Sequence, residues 1–272
     1  TVSGGNGIVE GFSQLLQKAP EKFHMILPAS DPNYKYMPGI RSILGGIWIA
    51  GIYYFGANQY IIQKALGAKS LKEAQRGLVF AGYLKLIIPV LVVIPGIAVF
   101  GLNADIAKPD EAYPWLLDKF VPTGIKGLVF AALIAAIISS LAAIINSAST
   151  IFTMDIYKVH FKPLSSEENL VKTGRISCIF IIAVAAFIAS FLTGINQVFQ
   201  FIQEYTGLIS PGITAIFVLG IFWKKTTAKS AWIAVLITLP VPLVLKYFFT
   251  ELPFLDNMLI SFLIISAQIV VV

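Results

Sequence analysis

Seven long apolar stretches, separated by shorter polar segments, dominate the pattern of hydrophobic and polar positions along the chain. Most of them approach the roughly 20 residues that an α-helix needs to cross the hydrocarbon core of a bilayer. The stretches lie at about 40–62, 77–101, 127–153, 174–193, 197–223, 229–249 and 257–272. This pattern predicts an all-α protein, a polytopic membrane helix bundle. We expect a polar segment at 1–38 and a transmembrane domain of about seven helices at 39–272.

The loops between these stretches alternate in charge, which predicts the side of the membrane on which each lies. Basic residues dominate the loops at 64–76, 154–175 and 224–229. The alternate loops are neutral or contain acidic residues, at 102–126, 194–196 and 250–256. Because cytoplasmic loops carry the excess of lysine and arginine, we expect a multi-pass protein of the cell membrane with an extracellular N-terminal segment. The chain ends within an apolar run, so we also expect it to be a fragment of a longer protein.

Composition narrows the functional classes. The chain is 57% hydrophobic and 12% charged, whereas soluble domains carry about 25% charged residues. The single cysteine, Cys178, excludes a disulfide framework and a thiolate metal site. The sequence has no nucleotide-binding glycine loop and no nucleophile–base pair, so we expect no enzymatic activity. Membrane orientation explains the basic residues, so we expect no nucleic-acid partner.

The stretch between Gly127 and Met154 carries no charge, yet small and oxygen-bearing residues interrupt it. At helical spacing, Ala136, Ser139 and Ser140 share one face with several residues that follow them. Those residues include Asn146, Ser147 and Thr150. One interpretation is close helix packing through small residues. The other is a site for Na⁺, a hard cation that prefers oxygen ligands, with a loosened carbonyl at Ala136. The spacing alone leaves both interpretations open.

The first apolar stretch, 40–62, is rich in glycine. Its glycines are Gly45, Gly46, Gly51 and Gly56. Each lowers helix stability by up to about 1 kcal/mol relative to alanine, so together they predict a broken helix. Broken helices near the middle of the membrane form substrate sites in many transporters. Tyr54 lies in this stretch and belongs either to such a site or to an aromatic belt at the interface.

A lysine interrupts the second stretch. Lys85 lies within 77–101, and a lysine at the centre of a membrane helix costs about 2.5–3.5 kcal/mol to insert. Its side chain therefore either faces a cavity or snorkels to the cytoplasmic interface. Pro89 and Pro95 favour a bend in this helix.

The stretch 197–223 begins with a polar face. Its members are Gln197, Gln200, Gln203 and Glu204. Pro211 and Gly212 then favour a bend, because proline frees a backbone carbonyl. Either this helix enters from the outer interface with a solvated polar end, or the polar face belongs to a binding site.

Three segments resemble one family of proteins. The run SSLAAIINSASTIFTMDIY is similar to the eighth core helix of the solute:sodium symporters, and within them of the sodium/sugar cotransporters. The run FGANQYIIQKALGAKSLKEAQRG resembles the sixth helix and the following cytoplasmic loop of that group. The run GIFWKKTTAKSA resembles the segment after the tenth helix. The resemblance covers most of residues 40–235. It implies the second inverted repeat, plus the following helices, of a LeuT-like five-plus-five fold with broken or bent helices.

The resemblance also implies a site for the coupling ion. In this family an Ala-x-x-Ser-Ser run lines the sodium site, and it falls on Ala136, Ser139 and Ser140. The implied cofactor is therefore Na⁺ as coupling ion. The first helix of the family supplies the rest of the sodium shell, so the missing N-terminal half of the transporter is an implied partner.

The implied substrate-binding residues are Lys85, Gln203, Tyr54 and Gly51. Lys85 and Gln203 match residues that hydrogen-bond the sugar, and Tyr54 matches the aromatic gate on the inner side of the sugar pocket. Gly51 stands where the bacterial galactose transporter has a sugar-binding asparagine. This departure keeps other solutes open.

The implied function is Na⁺-coupled symport of a small solute by alternating access, with a monosaccharide such as galactose or glucose favoured. The implied partners are the solute, Na⁺ and the lipid bilayer. One alternative is symport of myo-inositol, a sialic acid, a carboxylate or an amino acid. Another is a symporter-like sensor input domain of a signalling protein.

Overall fold

The computed structural model describes residues 7–24, 26–31, 34, 39–192, 195 and 198–272. Within these residues all regular elements are helical, so the expected all-α class is confirmed. The α-helices are α1 (Ile8–Lys18), α2 (Ile40–Leu44), α3 (Gly46–Ile52), α4 (Gln59–Leu66), α5 (Leu71–Lys85), α6 (Ile88–Gly101), α7 (Ala112–Phe120), α8 (Thr123–Ile151), α9 (Glu167–Ala189), α10 (Val198–Phe222), α11 (Ala228–Ile237), α12 (Pro240–Phe248) and α13 (Phe254–Val271). Short 3₁₀ turns lie at Pro20–Phe23 and Pro109–Glu111, and π-helical segments at Tyr53–Ala57 and Phe152–Phe161.

Most of the expected membrane spans appear as single long helical segments. Among the described residues, six segments are long and apolar enough to cross a bilayer: Leu71–Gly101, Thr123–Phe161, Glu167–Ala189, Val198–Phe222, Ala228–Phe248 and Phe254–Val271. The stretch 40–62 differs, because its apolar helical part is only Gly46–Ala57. The structure is thus that of a multi-pass membrane protein. The expected boundaries at 38, 193 and 197, and the side chain of Gln197, lie outside the described residues.

The glycine-rich stretch is broken, as its sequence predicts. Helix α2 ends at Leu44 and α3 starts at Gly46, with Gly45 between them. The π-helical segment Tyr53–Ala57 follows α3 and ends before α4. The glycines serve packing as well: a Cβ built on Gly46 would lie 2.6 Å from the carbonyl oxygen of Leu255. Only glycine lets α3 approach the backbone of α13 this closely.

The chain divides into two compact units. The first unit comprises Thr1–Asn58, Phe100–Ala104 and Gln197–Val272, and the second comprises Gln59–Val99 and Asp105–Asn196. In the first unit, α10, α11 and α13 share a buried apolar cluster of Ala215, Ala234, Ile265 and Ile269. A second cluster, formed by Ile49, Leu255 and Met258, packs α3 against α13. Burial of these side chains fixes the three helices that border the cavity described below.

The described part of the N-terminal segment packs onto the first unit through the short helix α1. Leu15 is 4% exposed and Ala19 is fully buried. The ammonium of Lys22 lies 4.7 Å from the ring centroid of Phe100, a distance at which a cation is attracted to the ring face. Within α1, Leu15 is therefore the residue that packs against the rest of this unit.

The second unit is built around α8, which packs against α4 and α9. The side-chain amide of Gln63 in α4 donates to the carbonyl of Ala143 in α8 (3.1 Å). The most apolar window of the segment Thr123–Phe161 has a mean hydropathy of 2.8, and no part of it is buried within the described chain. This face of α8 needs an apolar environment that the described residues do not supply.

Candidate functional site

A cavity of about 320 Å³ lies in the first unit, bordered by α3 with its π-helical continuation, α10 and α13. Its volume is at the lower end of the range for small-molecule sites. Gly51, Tyr54 and Gln203, three of the four residues implied for the substrate, line it. Residues from two distant parts of the sequence thus meet at one cavity, which we call the α3–α10–α13 cavity.

The broken helix gives the first wall of this cavity. The Thr214 hydroxyl donates to the Ile49 carbonyl (3.3 Å), and both residues are fully buried. This bond ties the last turn of α3 to α10. The π-helical segment that follows places Tyr54 at the cavity, with its half-buried ring edge-to-face against Phe55 at 5.0 Å between centroids. A tyrosine in this place can cover a small solute with its ring.

Gly51 leaves room in this wall. A Cβ built on it meets no heavy atom within 4 Å, unlike one on Gly46. The glycine is therefore not required by packing, and its effect is to make the cavity wider and less polar at this point.

Helix α10 gives the second wall. Gln203, Thr206 and Ser210 follow one another at i, i+3 and i+7 and all line the cavity, as helical periodicity requires. Gln203 is exposed and makes no hydrogen bond to another described residue. Thr206 and Ser210 were missed by the sequence reasoning, although their spacing from Gln203 was the available signal.

The other members of the polar face of α10 have a different use. Gln200 donates to the Glu204 carboxylate (3.2 Å), which also lies 3.1 Å from the ammonium of Lys246 in α12. Glu204 and Lys246 line a neighbouring cavity of about 300 Å³, which shares Gly207 and Phe254 with the α3–α10–α13 cavity. The polar face of α10 is therefore divided between an ion pair and the candidate solute site.

Lys85 belongs to the second unit. It is the last residue of α5, and its side chain is exposed. The chain turns at Leu86 and Ile87 before α6 starts. Pro89 explains this turn, because it has no N–H to donate to the Lys85 carbonyl four residues earlier. The bend expected in this stretch is present and lies directly after the lysine.

The residues implied for sodium lie along α8, also in the second unit. Ala136, Ser139 and Ser140 are exposed, and neither hydroxyl is bonded to another described residue. Two adjacent, uncommitted hydroxyl oxygens fit the preference of a hard cation. Helix α8 runs without a break through Ala136, so the loosened carbonyl expected there is not seen. That carbonyl can offer an ion only the lone pair that the helix leaves free.

The second part of the same stripe serves helix packing. The Ser149 hydroxyl donates to the Gly174 carbonyl of α9 (2.7 Å). A Cβ built on Gly174 would lie 3.5 Å from the Ser149 oxygen and 3.6 Å from the Thr153 oxygen. The Thr150 hydroxyl bonds back to Asn146 within α8 (2.7 Å). Helix packing therefore explains Ser149 in the second half of the stripe, and the sodium interpretation of Ser139 and Ser140 stays a prediction.

Near the start of α8, Asp118 and Lys126 form an ion pair of 2.7 Å at a cavity of about 470 Å³ under α7. The hydrogen bond and positive charge of Lys126 lower the pKa of the Asp118 carboxyl below its usual value, so it stays ionised at neutral pH. The other lining residues are mostly apolar. Among the described residues, no group of three or more histidine, cysteine or acidic side chains is placed to hold a metal ion.

Comparison with known proteins decides the family. The sequence profile of the sodium:solute symporter family matches residues 3–238, which is most of the chain. The chain belongs to the sodium:solute symporter family. The resemblance found in the sequence is confirmed.

Relatives of this symporter chain include sugar and polyol cotransporters. It is 50% identical over 279 residues to a sodium/glucose cotransporter of Vibrio parahaemolyticus, with 96% of this chain and 51% of that protein covered. It is 35% identical over 269 residues to the sodium/myo-inositol cotransporter 2 of Mus musculus, with 89% and 40% covered. The symporter chain thus spans about half the length of these relatives.

A solved structure of a symporter has the same fold. It is the substrate-bound, outward-open state of a Na⁺-coupled sialic acid symporter, which superposes with a TM-score of 0.76 at 25% identity. The match covers 97% of this symporter chain and 56% of that protein. The expected fold, a second repeat with the helices after it, is confirmed.

Proposed function

We propose that the protein of which this chain is a part is a Na⁺-coupled symporter of a monosaccharide such as galactose or glucose. The observation that carries the proposal is the α3–α10–α13 cavity, where Gly51, Tyr54 and Gln203 meet. Identity of 50% to a sodium/glucose cotransporter supports the same solute class. The uncommitted hydroxyls of Ser139 and Ser140 support Na⁺ as the coupling ion.

In the proposed mechanism, the solute binds on the α10 wall and accepts or donates hydrogen bonds with Gln203. The Tyr54 ring closes the inner side of the site, and a hydrogen bond from Lys85, which belongs to the second unit, stays a prediction from the sequence. When the solute is released into the cell, it loses its contact with the Tyr54 ring. The amide of Gln203 suits hydrogen bonding to solute hydroxyls, since it offers both donors and an acceptor.

Sodium is the second cargo. Its proposed ligands in this chain are the hydroxyls of Ser139 and Ser140 and the carbonyl of Ala136, and the missing N-terminal half would complete the shell. Coupling follows from linkage: if Na⁺ favours the arrangement that binds solute, solute favours Na⁺ to the same extent. One Na⁺ moving down 100 mV releases about 2.3 kcal/mol, enough to concentrate a neutral solute tens of fold.

We place the basic loops in the cytoplasm and the N-terminal segment outside, following the charge alternation. In this orientation Lys64, Lys158 and Lys224 are cytoplasmic. The proposed partners are the solute, Na⁺, the bilayer and the N-terminal half of the transporter.

A second solute class is favoured by one observation. Gly51 leaves open space where a polar side chain would otherwise contact a sugar hydroxyl, so the site suits a solute that needs more room or fewer hydrogen bonds there. Among other solutes we propose myo-inositol, because a relative 35% identical to this chain is a sodium/myo-inositol cotransporter.

The test is uptake by the full-length transporter in proteoliposomes. A sodium gradient is applied, with an equal potassium gradient as control, and radiolabelled D-galactose, D-glucose and myo-inositol are compared. Sodium-dependent uptake of either sugar supports the first proposal. Uptake of myo-inositol alone supports the second, and absence of sodium stimulation contradicts both.

A further inference from the structure

One hydroxyl of the α3–α10–α13 cavity stands out because it is buried and unsatisfied. Ser210 lines the cavity and is fully buried, and its hydroxyl oxygen has no hydrogen-bond partner among the described residues. Buried hydroxyls nearly always find a partner, and a serine in a helix usually bonds back to its own backbone. A helix that leaves this one unsatisfied at a cavity points to a partner that arrives from elsewhere.

A neighbouring backbone acceptor also lacks its regular helical donor. Pro211 has no N–H, so the Gly207 carbonyl lacks the donor that a regular helix would place four residues later. Gly207 lines the same cavity as Ser210. The α10 wall thus presents a hydroxyl that donates or accepts and a carbonyl that accepts, within one turn. This is the pairing that a solute hydroxyl requires.

A flexible side chain covers this part of the wall. The sulfur of Met258 lies 3.3 Å from the position of a Cβ built on Gly207, and Met258 is itself 2% exposed. Methionine is unbranched and adapts its shape at small cost. A change of its rotamer would alter the space beside Gly207 without movement of the backbone.

We infer that Ser210 is a specificity-determining residue, which hydrogen-bonds a hydroxyl of the transported solute once Met258 moves aside. The inference rests on the proposed function and extends it by a residue seven positions beyond Gln203. The inference also accounts for the lack of a polar side chain at Gly51. A site that lacks a polar side chain on α3 regains a hydroxyl contact from α10.

The experiment compares wild-type transporter with Ser210→Ala in proteoliposomes, using D-galactose, D-glucose and their single-deoxy analogues. A hydrogen bond between neutral groups corresponds to a roughly two- to tenfold change in affinity. We therefore expect Ser210→Ala to raise the KM of the parent sugar by about three- to tenfold. For one deoxy analogue, the one lacking the bonded hydroxyl, wild type and variant should have equal KM values.

The matched control is Ser266→Ala. Ser266 is another serine whose oxygen is buried without a partner, it lies in α13, and it does not line the cavity. Both variants remove an unsatisfied hydroxyl, so both should keep or raise the melting temperature, and only Ser210→Ala should change KM. The role of Ser210 is overturned if Ser210→Ala leaves the KM of the parent sugar unchanged. It is also overturned if every deoxy analogue raises KM by the same factor in wild type and in Ser210→Ala. If wild type takes up neither sugar, the proposed function itself fails. If wild type takes up a sugar and Ser210→Ala does not change its KM, only the role of Ser210 fails.

Discussion

The close approach of α3 to α13 gives a sharp test of the structure, through the substitution Gly46→Ala. The new Cβ would lie 2.6 Å from the Leu255 carbonyl oxygen, 3.0 Å from its Cα and 3.0 Å from the Met258 Cβ. Two of these atoms belong to the backbone, so no rotamer change relieves the contact. The helices must separate, in a region where Ile49 is fully buried.

Two opposing effects set the change in the free energy of unfolding that Gly46→Ala causes. Inserting a methyl group into a close-packed site costs about 1–3 kcal/mol. Gly46 is the first residue of α3, so alanine gains less there than the roughly 1 kcal/mol that it gains over glycine in a helix interior. The packing cost prevails, so we expect the free energy of unfolding to fall by about 1–3 kcal/mol. Solute binding should weaken as well, because the separated helices border the α3–α10–α13 cavity.

The assay is thermal unfolding of the full-length protein in detergent, followed by intrinsic fluorescence. The control is Gly220→Ala in α10, where a built Cβ meets no heavy atom within 4 Å. We expect Gly220→Ala to melt at or slightly above the wild-type temperature and Gly46→Ala clearly below it. Equal melting temperatures for the two variants would show that α3 and α13 do not approach as described.

Two further predictions concern the proposed sites. Ser140→Ala should shift the sodium activation of uptake to higher concentration by about an order of magnitude, as expected for loss of one ligand to a charged group. The control is Thr150→Ala, because the Thr150 hydroxyl is already bonded to Asn146. Unchanged sodium activation of the Ser140→Ala variant would remove Ser140 from the site. Gly51→Asn should fold normally, because its Cβ has open space, and should lower the KM for galactose by roughly two- to tenfold if a sugar hydroxyl lies there; an unaltered KM would place the solute elsewhere.

Much of the architecture could be predicted from the sequence, because it depends on local pattern. Spanning length predicted the long helices, glycine content predicted a break within 40–62, and Pro89 and Pro95 predicted a bend within 77–101. The spacing of Ser210 from Gln203 is helical as well, but only the structure identified Ser210 as a cavity residue. The sequence could not assign the stripe on α8, since Ser149 bonds to Gly174 of another helix, whereas Ser139 makes no such bond to any residue that the structure describes. Contacts between helices, such as that of Met258 with Gly207, do not appear in any local pattern.

The bare apolar face of α8 has a practical consequence. The most hydrophobic window of α8 has no buried part within the described chain. When this 272-residue chain is produced by itself, α8 would therefore expose a large apolar surface. Detergent micelles would then hold oligomers of no defined stoichiometry. Translating the proposed N-terminal half as a separate polypeptide in the same cell tests whether that half covers this face, and we expect recovery of a monodisperse pair.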